Sequence, residues 1–113
     1  MTTLVDRNEL QALIASGTVT VVDALPEQYY NQQHLPGALN LVESDVEARA
    51  DSMLPNKSAT IVTYCSNRAC SNSQAVANRL QKLGYSDVRK YADGIQDWTE
   101  AGLAVEGAVT HAS

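Results

Sequence analysis

TYCSNRACSNSQAVANRL, residues 63–80, holds both cysteines of the chain within one short turn. The β-branched run at 60–64 is typical of a buried parallel strand, and the amphipathic pattern after the turn predicts a helix over 74–83. Cys65 therefore follows a strand and precedes a helix, at the edge of a parallel sheet where ligands usually bind. This arrangement predicts an α/β fold and a candidate site at Cys65.

The rest of the chain alternates between helical and extended patterns. Asp6 and Glu9 match a capping box, and Gly17 predicts a left-handed helix end. Helices are predicted at 6–17, 26–33, 43–54, 74–83 and 94–102, and strands at 18–24, 38–41, 60–64 and 87–91. Strands separated by helices predict a mostly parallel sheet with helices on both faces. Three segments then meet at one sheet edge: 23–24, 65–73 and 92–94.

Length and composition predict one domain, residues 1–113, with a core over about 5–105 and a tail at 106–113. The chain has 113 residues, of which 44% are hydrophobic, and a net charge of −5. An acidic surface repels phosphates, so we expect neither nucleic acid nor membrane as a partner. No apolar run reaches the ~20 residues of a membrane span, and no signal peptide is evident. We therefore expect a cytoplasmic protein with reduced thiols.

The turn after Cys65 favours a reactive thiol. Its backbone N–H groups can form an anion-binding nest, and the following helix start adds partial positive charge. Both effects predict that the pKa of Cys65 lies below the ordinary thiol value. Arg68 is a candidate cation for an anionic ligand. The alternative is that Cys65 is a small buried apolar residue, as free cysteines often are.

The chain resembles the rhodanese-like domain family, over about residues 6–105. The motif "YC", a short loop and a helix-opening serine correspond to Tyr64, Cys65 and Ser73. Further matches are Asp23, Pro26, Glu27, Tyr29, His34, Pro36, Gly37, Ala38, Asn40, Leu80, Leu83, Gly84, Tyr85, Asp93, Gly94 and Trp98. The resemblance implies a single rhodanese-like α/β domain.

The resemblance also implies a sulfurtransferase without a cofactor. The loop cysteine would take sulfane sulfur from a small donor such as thiosulfate, hold it as a persulfide and pass it to a thiol, on a small molecule or a protein. The catalytic residue would be Cys65. The substrate-binding residues would be Ser66, Asn67, Arg68, Ala69 and Cys70, and the structural support Asp23, His34 and Ser73. No metal is expected, because the two cysteines with His34 and His111 lack the usual zinc-ligand spacing.

The site loop departs from the common family pattern. No arginine follows Asp23, Asn72 stands where an arginine usually precedes the serine, and the loop is two residues longer. It is similar to a subset with the spacing C-x4-C-x2-S, which Cys65, Cys70 and Ser73 match. These departures leave the substrate preference open.

Two other functions compete with sulfur transfer. A phosphatase on this fold would need an arginine where Ser71 stands, so that function is disfavoured. A non-catalytic or redox-sensing module would use Cys65 and Cys70 as a thiol pair. Of the two roles for Cys70, resolving an oxidised Cys65 or only packing beside it, we expect packing.

Overall fold

A computed structural model describes residues 2–107. The strands are β1 (Thr3–Val5), β2 (Val19–Asp23), β3 (Leu39–Asn40), β4 (Thr60–Tyr64) and β5 (Asp87–Tyr91). The helices are α1 (Arg7–Ser16), α2 (Glu27–Gln32), α3 (Val46–Met53), α4 (Asn72–Lys82) and α5 (Gly94–Glu100), with a 3-10 turn at Glu43–Asp45 before α3. Within 2–107 none of these helices has the length and apolarity to cross a bilayer.

The five strands form one parallel sheet in the order β1-β5-β4-β2-β3. In the register of the central strands, Asp23 lies opposite Tyr64, and Tyr64 lies opposite Tyr91. The carboxyl ends of β2, β4 and β5 are therefore level with one another. The predicted parallel sheet is confirmed, and Cys65 emerges from its central strand.

Helices cover both faces of the sheet, as predicted. Successive residues of a strand point to opposite faces, so Val21 and Val22 of β2 enter different cores. One core contains Val22, Leu41, Val46, Ala50, Ile61, Val76, Leu80 and Val88, and the other Val5, Leu10, Val21, Leu35, Val62, Tyr64, Tyr91, Ile95 and Trp98. The sheet is consequently buried on both sides.

The predicted ends of α1 are confirmed. Asp6 Oδ1 accepts a hydrogen bond from the Glu9 amide at 2.8 Å, and Glu9 Oε1 accepts one from the Asp6 amide at 3.1 Å. Gly17 ends the helix with φ at +72°. Local side-chain chemistry fixes both ends of this helix.

Two elements differ from the prediction. The strand β1 was not predicted, because three residues are too few to show a period and only pairing with β5 holds them extended. The helix α4 begins at Asn72 rather than at 74. Its first turn is polar and carries no hydrophobic signal, so the pattern underestimates its length.

The C-terminal segment is paired past residue 105. The Glu106 amide donates to the His34 carbonyl at 2.9 Å, and the His34 amide donates to the Glu106 carbonyl at 2.8 Å. Glu106 Oε1 also accepts from the Gly37 amide at 2.9 Å. Glu106, expected in the tail, is thus tied to the turn after α2. The rest of the predicted tail, 108–113, lies outside the described residues.

Candidate functional site

The loop that follows β4 is fixed at its base by its neighbours. The Ala24 amide, after β2, donates to the Tyr64 carbonyl at 2.9 Å. From the start of α5, the Ile95 amide donates to the Cys65 carbonyl at 2.9 Å and the Gln96 amide to the Ser66 carbonyl at 3.0 Å. The three segments predicted to meet at this edge therefore do meet, around the backbone of Cys65.

Gly94 allows α5 to approach the loop this closely. Its φ is +72°, and a Cβ built on it would lie 2.5 Å from the Cys65 carbonyl oxygen and 2.6 Å from the Ser66 carbonyl carbon. Only glycine fits, both in conformation and in space. The sequence analysis noted Gly94 as a family match and not as a site residue. A glycine in the short segment between a strand and a helix, at residues 92–94, was the available signal.

The Cys65 thiol is enclosed by the start of α4 and its own loop. The residue is 2% exposed. Its Sγ lies 3.4 Å from the Cys70 carbonyl oxygen and 3.4 Å from Ser73 Oγ. Ser73, also buried, is held in turn by the Thr63 hydroxyl, which donates to the Ser73 carbonyl at 3.0 Å. The structure thus brings Cys65, Cys70 and Ser73 together.

The sequence analysis expected a lowered pKa for Cys65, and this expectation is wrong. Burial raises the pKa of the Cys65 thiol, and its hydrogen bond to Cys70 raises it further, while the hydroxyl and amide of Ser73 act in the opposite direction. Loss of water disfavours the thiolate more than these groups favour it. The surroundings of Cys65 in this structure therefore favour the thiol over the thiolate.

Cys70 takes the anion-stabilising contacts that the sequence analysis assigned to Cys65. The residue is half-buried, and its amide donates to the Asn67 carbonyl at 3.1 Å. Burial acts to raise the pKa of Cys70, but the hydrogen bond from Cys65 and the amides of Asn72 and Ser66 outweigh it, so the pKa is lowered. The backbone amides expected around Cys65 are divided between the two sulfur atoms. The amide of Ser73 faces Cys65, and the amides of Ser66 and Asn72 face Cys70.

We predict from these surroundings that Cys65 reacts slowly with alkylating agents near neutral pH. In Cys70→Ser, burial still raises the pKa of Cys65, so the rate should rise with pH to a midpoint above the ordinary thiol value. The measurement is the rate of iodoacetamide alkylation across a pH series. The urea-unfolded protein is the control, and a folded midpoint below the unfolded one would contradict the prediction.

The outer part of the loop is latched to the region around α5. Arg68 Nε pairs with Asp93 Oδ1, and Asn67 Nδ2 donates to Gln96 Oε1 at 2.9 Å. Asn67 Oδ1 also accepts from the Ala69 amide at 2.9 Å, which shapes the turn. Asp93 lies in the segment 92–94 that was predicted to meet the loop, but neither Asp93 nor Gln96 was among the predicted site residues.

A cleft of about 240 Å³ lies beside this latch. It is lined by Asn67, Arg68, Asp93, Gln96, Asp97 and Glu100. The Arg68 side chain is 72% exposed but is already paired with a carboxylate. The cleft therefore presents three carboxylates and a single, compensated guanidinium.

Asp23 lies beneath the loop, at the end of β2. Its carboxylate accepts from the Tyr64 hydroxyl at 2.7 Å and from the Leu25 amide at 2.8 Å, and the Tyr64 hydroxyl also accepts from the Leu35 amide at 3.0 Å. Burial raises the pKa of Asp23, although these hydrogen bonds oppose the shift. Asp23 thus joins the end of β2 to Tyr64 at the end of β4, and Tyr64 directly precedes Cys65 in the chain.

His34 lies in the turn after α2, among structural contacts. Its ring stacks on Tyr30 with centroids 3.9 Å apart, and Nδ1 lies 2.8 Å from the Tyr30 carbonyl oxygen. Nε2 lies 3.7 Å from Glu106 Oε1. The contacts described for His34 are with these two residues and include none of the loop residues 65–70.

The sequence of the chain is similar to those of known proteins. The chain is 32% identical over 105 residues to the HTH-type transcriptional regulator Rv0324 of Mycobacterium tuberculosis, covering 92% of this chain and 45% of that protein. It is 36% identical over 73 residues to the thiosulfate sulfurtransferase PspE of Escherichia coli, covering 65% of this chain and 66% of PspE. The chain thus spans less than half of the first relative and about two thirds of the second.

The similarity extends to a solved structure and to a family model. The solution structure of the rhodanese-like domain of the Alr3790 protein from Anabaena superposes with a TM-score of 0.83 at 28% identity, covering 100% of this chain and 85% of that one. Residues 6–101 match the model of the Rhodanese-like domain. That match includes the whole sheet except β1, and the entire loop around Cys65. The chain belongs to the rhodanese-like domain family.

Proposed function

We propose that this domain is a sulfurtransferase in which Cys65 carries sulfane sulfur as a persulfide. The observation that supports it best is the place of the Cys65 thiol, at the end of the central strand and against the Ser73 hydroxyl at the start of α4. The relative PspE, named as a thiosulfate sulfurtransferase, favours thiosulfate as the donor. The acceptor is a thiol, on a small molecule or a protein.

The proposed reaction begins with ionisation of Cys65. When the loop opens, the Cys65 thiol gives its proton to the surrounding water, because Cys70, with the lower pKa, is the weaker base of the two sulfurs. The Cys65 thiolate then attacks the outer sulfur of thiosulfate, the bond between the two thiosulfate sulfurs breaks, and sulfite leaves with the electron pair. The product is a Cys65 persulfide anion, next to the hydroxyl and amide of Ser73.

Access to Cys65 requires the loop to move outward. Because the residue is 2% exposed, a donor reaches the thiol only when residues 66–70 shift. The latch between Arg68 and Asp93, together with the Asn67–Gln96 hydrogen bond, joins exposed side chains and is weak in water. In this proposal, the latch opens for the donor and closes over the persulfide.

The proposal needs free thiols and no cofactor. Cys65 and Cys70 are both unbridged, which suits a reducing compartment such as the cytoplasm. A regulatory, redox-sensing module is the alternative, and it would use the same two thiols without turning over a sulfur donor.

Sulfite release tests the proposed function. When thiosulfate is added without an acceptor, we expect a rapid release of sulfite equal to the amount of protein, since each Cys65 takes up one sulfur. A stopped assay for sulfite, run over a range of protein concentrations, measures it. The protein alkylated in urea and refolded is the control. If neither sulfite nor bound sulfur is found, the redox-sensing alternative is favoured instead.

A further inference from the structure

The two loop cysteines differ in exposure but share one contact. Cys65 is buried and Cys70 is half-buried, so Cys70 lies on the solvent side of the pair. Cys65 Sγ lies 3.4 Å from the Cys70 carbonyl oxygen, and the two thiols lie near enough for each to shift the pKa of the other. The sulfur atom that Cys70 touches is the one that would become the inner sulfur of a persulfide.

Cys70 is also equipped to act as a nucleophile. The amides of Asn72 and Ser66 face its sulfur and favour the thiolate. Its carbonyl and amide lie in a turn closed by the Asn67 carbonyl, so the residue belongs to a loop and not to the regular part of α4. A loop of this kind can adjust to the geometry that a disulfide requires.

Chemistry selects which sulfur of the persulfide Cys70 attacks. Attack on the outer sulfur would expel the Cys65 thiolate, a poor leaving group because burial raises its pKa. Attack on the inner sulfur expels hydrosulfide, the anion of a stronger acid, and leaving groups of lower pKa depart faster. Both the contact between Cys70 and Cys65 and the better leaving group therefore favour attack on the inner sulfur.

We propose that Cys70 is a resolving cysteine that releases the carried sulfur as hydrosulfide. This proposal rests on the proposed sulfur transfer at Cys65. The outer sulfur of the Cys65 persulfide first takes a proton from water. The Cys70 thiolate then attacks Cys65 Sγ, a Cys65–Cys70 disulfide forms, and the bond to the outer sulfur breaks with its electron pair on the departing hydrosulfide. An external dithiol then reduces the disulfide to two thiols and is itself oxidised to a disulfide. The acceptor class is thus a dithiol reductant, and the proposal differs from the expectation that Cys70 only packs beside Cys65.

The test is a single turnover with thiosulfate under anaerobic conditions, without reductant. The wild type should release a stoichiometric amount of hydrosulfide after sulfite, and its intact mass should show the loss of two hydrogens, reversed by dithiothreitol. Cys70→Ser should still take up one sulfur on Cys65 with release of one sulfite, at a rate measured beside that of the wild type, and release no hydrosulfide. Cys70→Ala is run beside it, with circular dichroism to confirm that both variants fold.

Each other outcome overturns the proposal. A wild type that keeps the persulfide as stably as Cys70→Ser rejects resolution but leaves the proposed sulfur transfer intact. Folded Cys70 variants that take up no sulfur, when the wild type does, assign Cys70 to loading instead of resolution. If no form takes up sulfur from thiosulfate or from glutathione persulfide, both proposals fail. A disulfide formed with peroxide but not with either donor would favour redox sensing.

Discussion

Cys65→Ser is expected to abolish sulfur transfer. A hydroxyl in this buried position cannot ionise to attack the outer sulfur of thiosulfate, and no other described thiol lies against Ser73. Removing a covalent nucleophile typically lowers turnover by about a thousandfold or more. The measurement is steady-state release of hydrosulfide from thiosulfate with dithiothreitol as the acceptor, corrected for the uncatalysed reaction. The initial sulfite release should vanish as well.

Cys70→Ser is the matched control for this substitution. It changes the same atom in the same loop, but we expect it to keep the initial sulfite release, since Cys65 still loads. Urea unfolding of both variants confirms that neither loss reflects misfolding. Full turnover in Cys65→Ser would remove Cys65 from the reaction and, with it, the proposed function.

Gly94→Ala should be far more destabilising than an ordinary surface substitution. The new Cβ would lie 2.5 Å from the Cys65 carbonyl oxygen, which is backbone and cannot move aside without breaking the hydrogen bond from Ile95. A left-handed conformation also costs about 1–2 kcal/mol for a residue with a side chain. Adding the clash and the lost bond, we expect a total of about 3–5 kcal/mol.

Gly17→Ala separates the cost of the left-handed conformation from the cost of the steric clash. Gly17 has the same φ of +72°, but no atom lies within 4 Å of its built Cβ. It should therefore show the conformational cost alone, about 1–2 kcal/mol. Both variants are compared by urea unfolding with circular dichroism, and their sulfite release is measured in parallel. Equal losses of stability in the two variants would show that the close approach of α5 to the loop is unimportant.

Most of the fold could be predicted because its signals are local. The β-branched run before Cys65 and the capping box at Asp6 each specify an element within a few residues, and both are present in the structure. Strands separated by helices then leave few topologies open. The position of Cys65 at the carboxyl edge followed from that topology.

The chemistry of the site was harder to predict because it depends on distances through space. The sequence places a helix start after Cys65 but does not tell which sulfur the amides face, and in the structure those of Ser66 and Asn72 face Cys70. Burial raises the pKa of Cys65, whereas the sequence analysis expected a lowered pKa. Asp93 and Gln96 belong to another element, and only the folded chain brings them to the loop.

The pairing of Arg68 with Asp93 has a kinetic consequence for the choice of donor. The chain carries a net charge of −5, and the cleft beside the loop adds Asp97 and Glu100 to a guanidinium that is already neutralised. The charges described around the loop therefore do not attract a dianion such as thiosulfate, the proposed donor. We expect its rate of encounter with Cys65 to stay below that of enzymes whose charge attracts their substrate. The choice of sulfur donor then depends on how well the donor fits the opened loop and on its concentration near the domain. If the domain transfers sulfur as proposed, we expect transfer to be fastest where the donor is held at high local concentration.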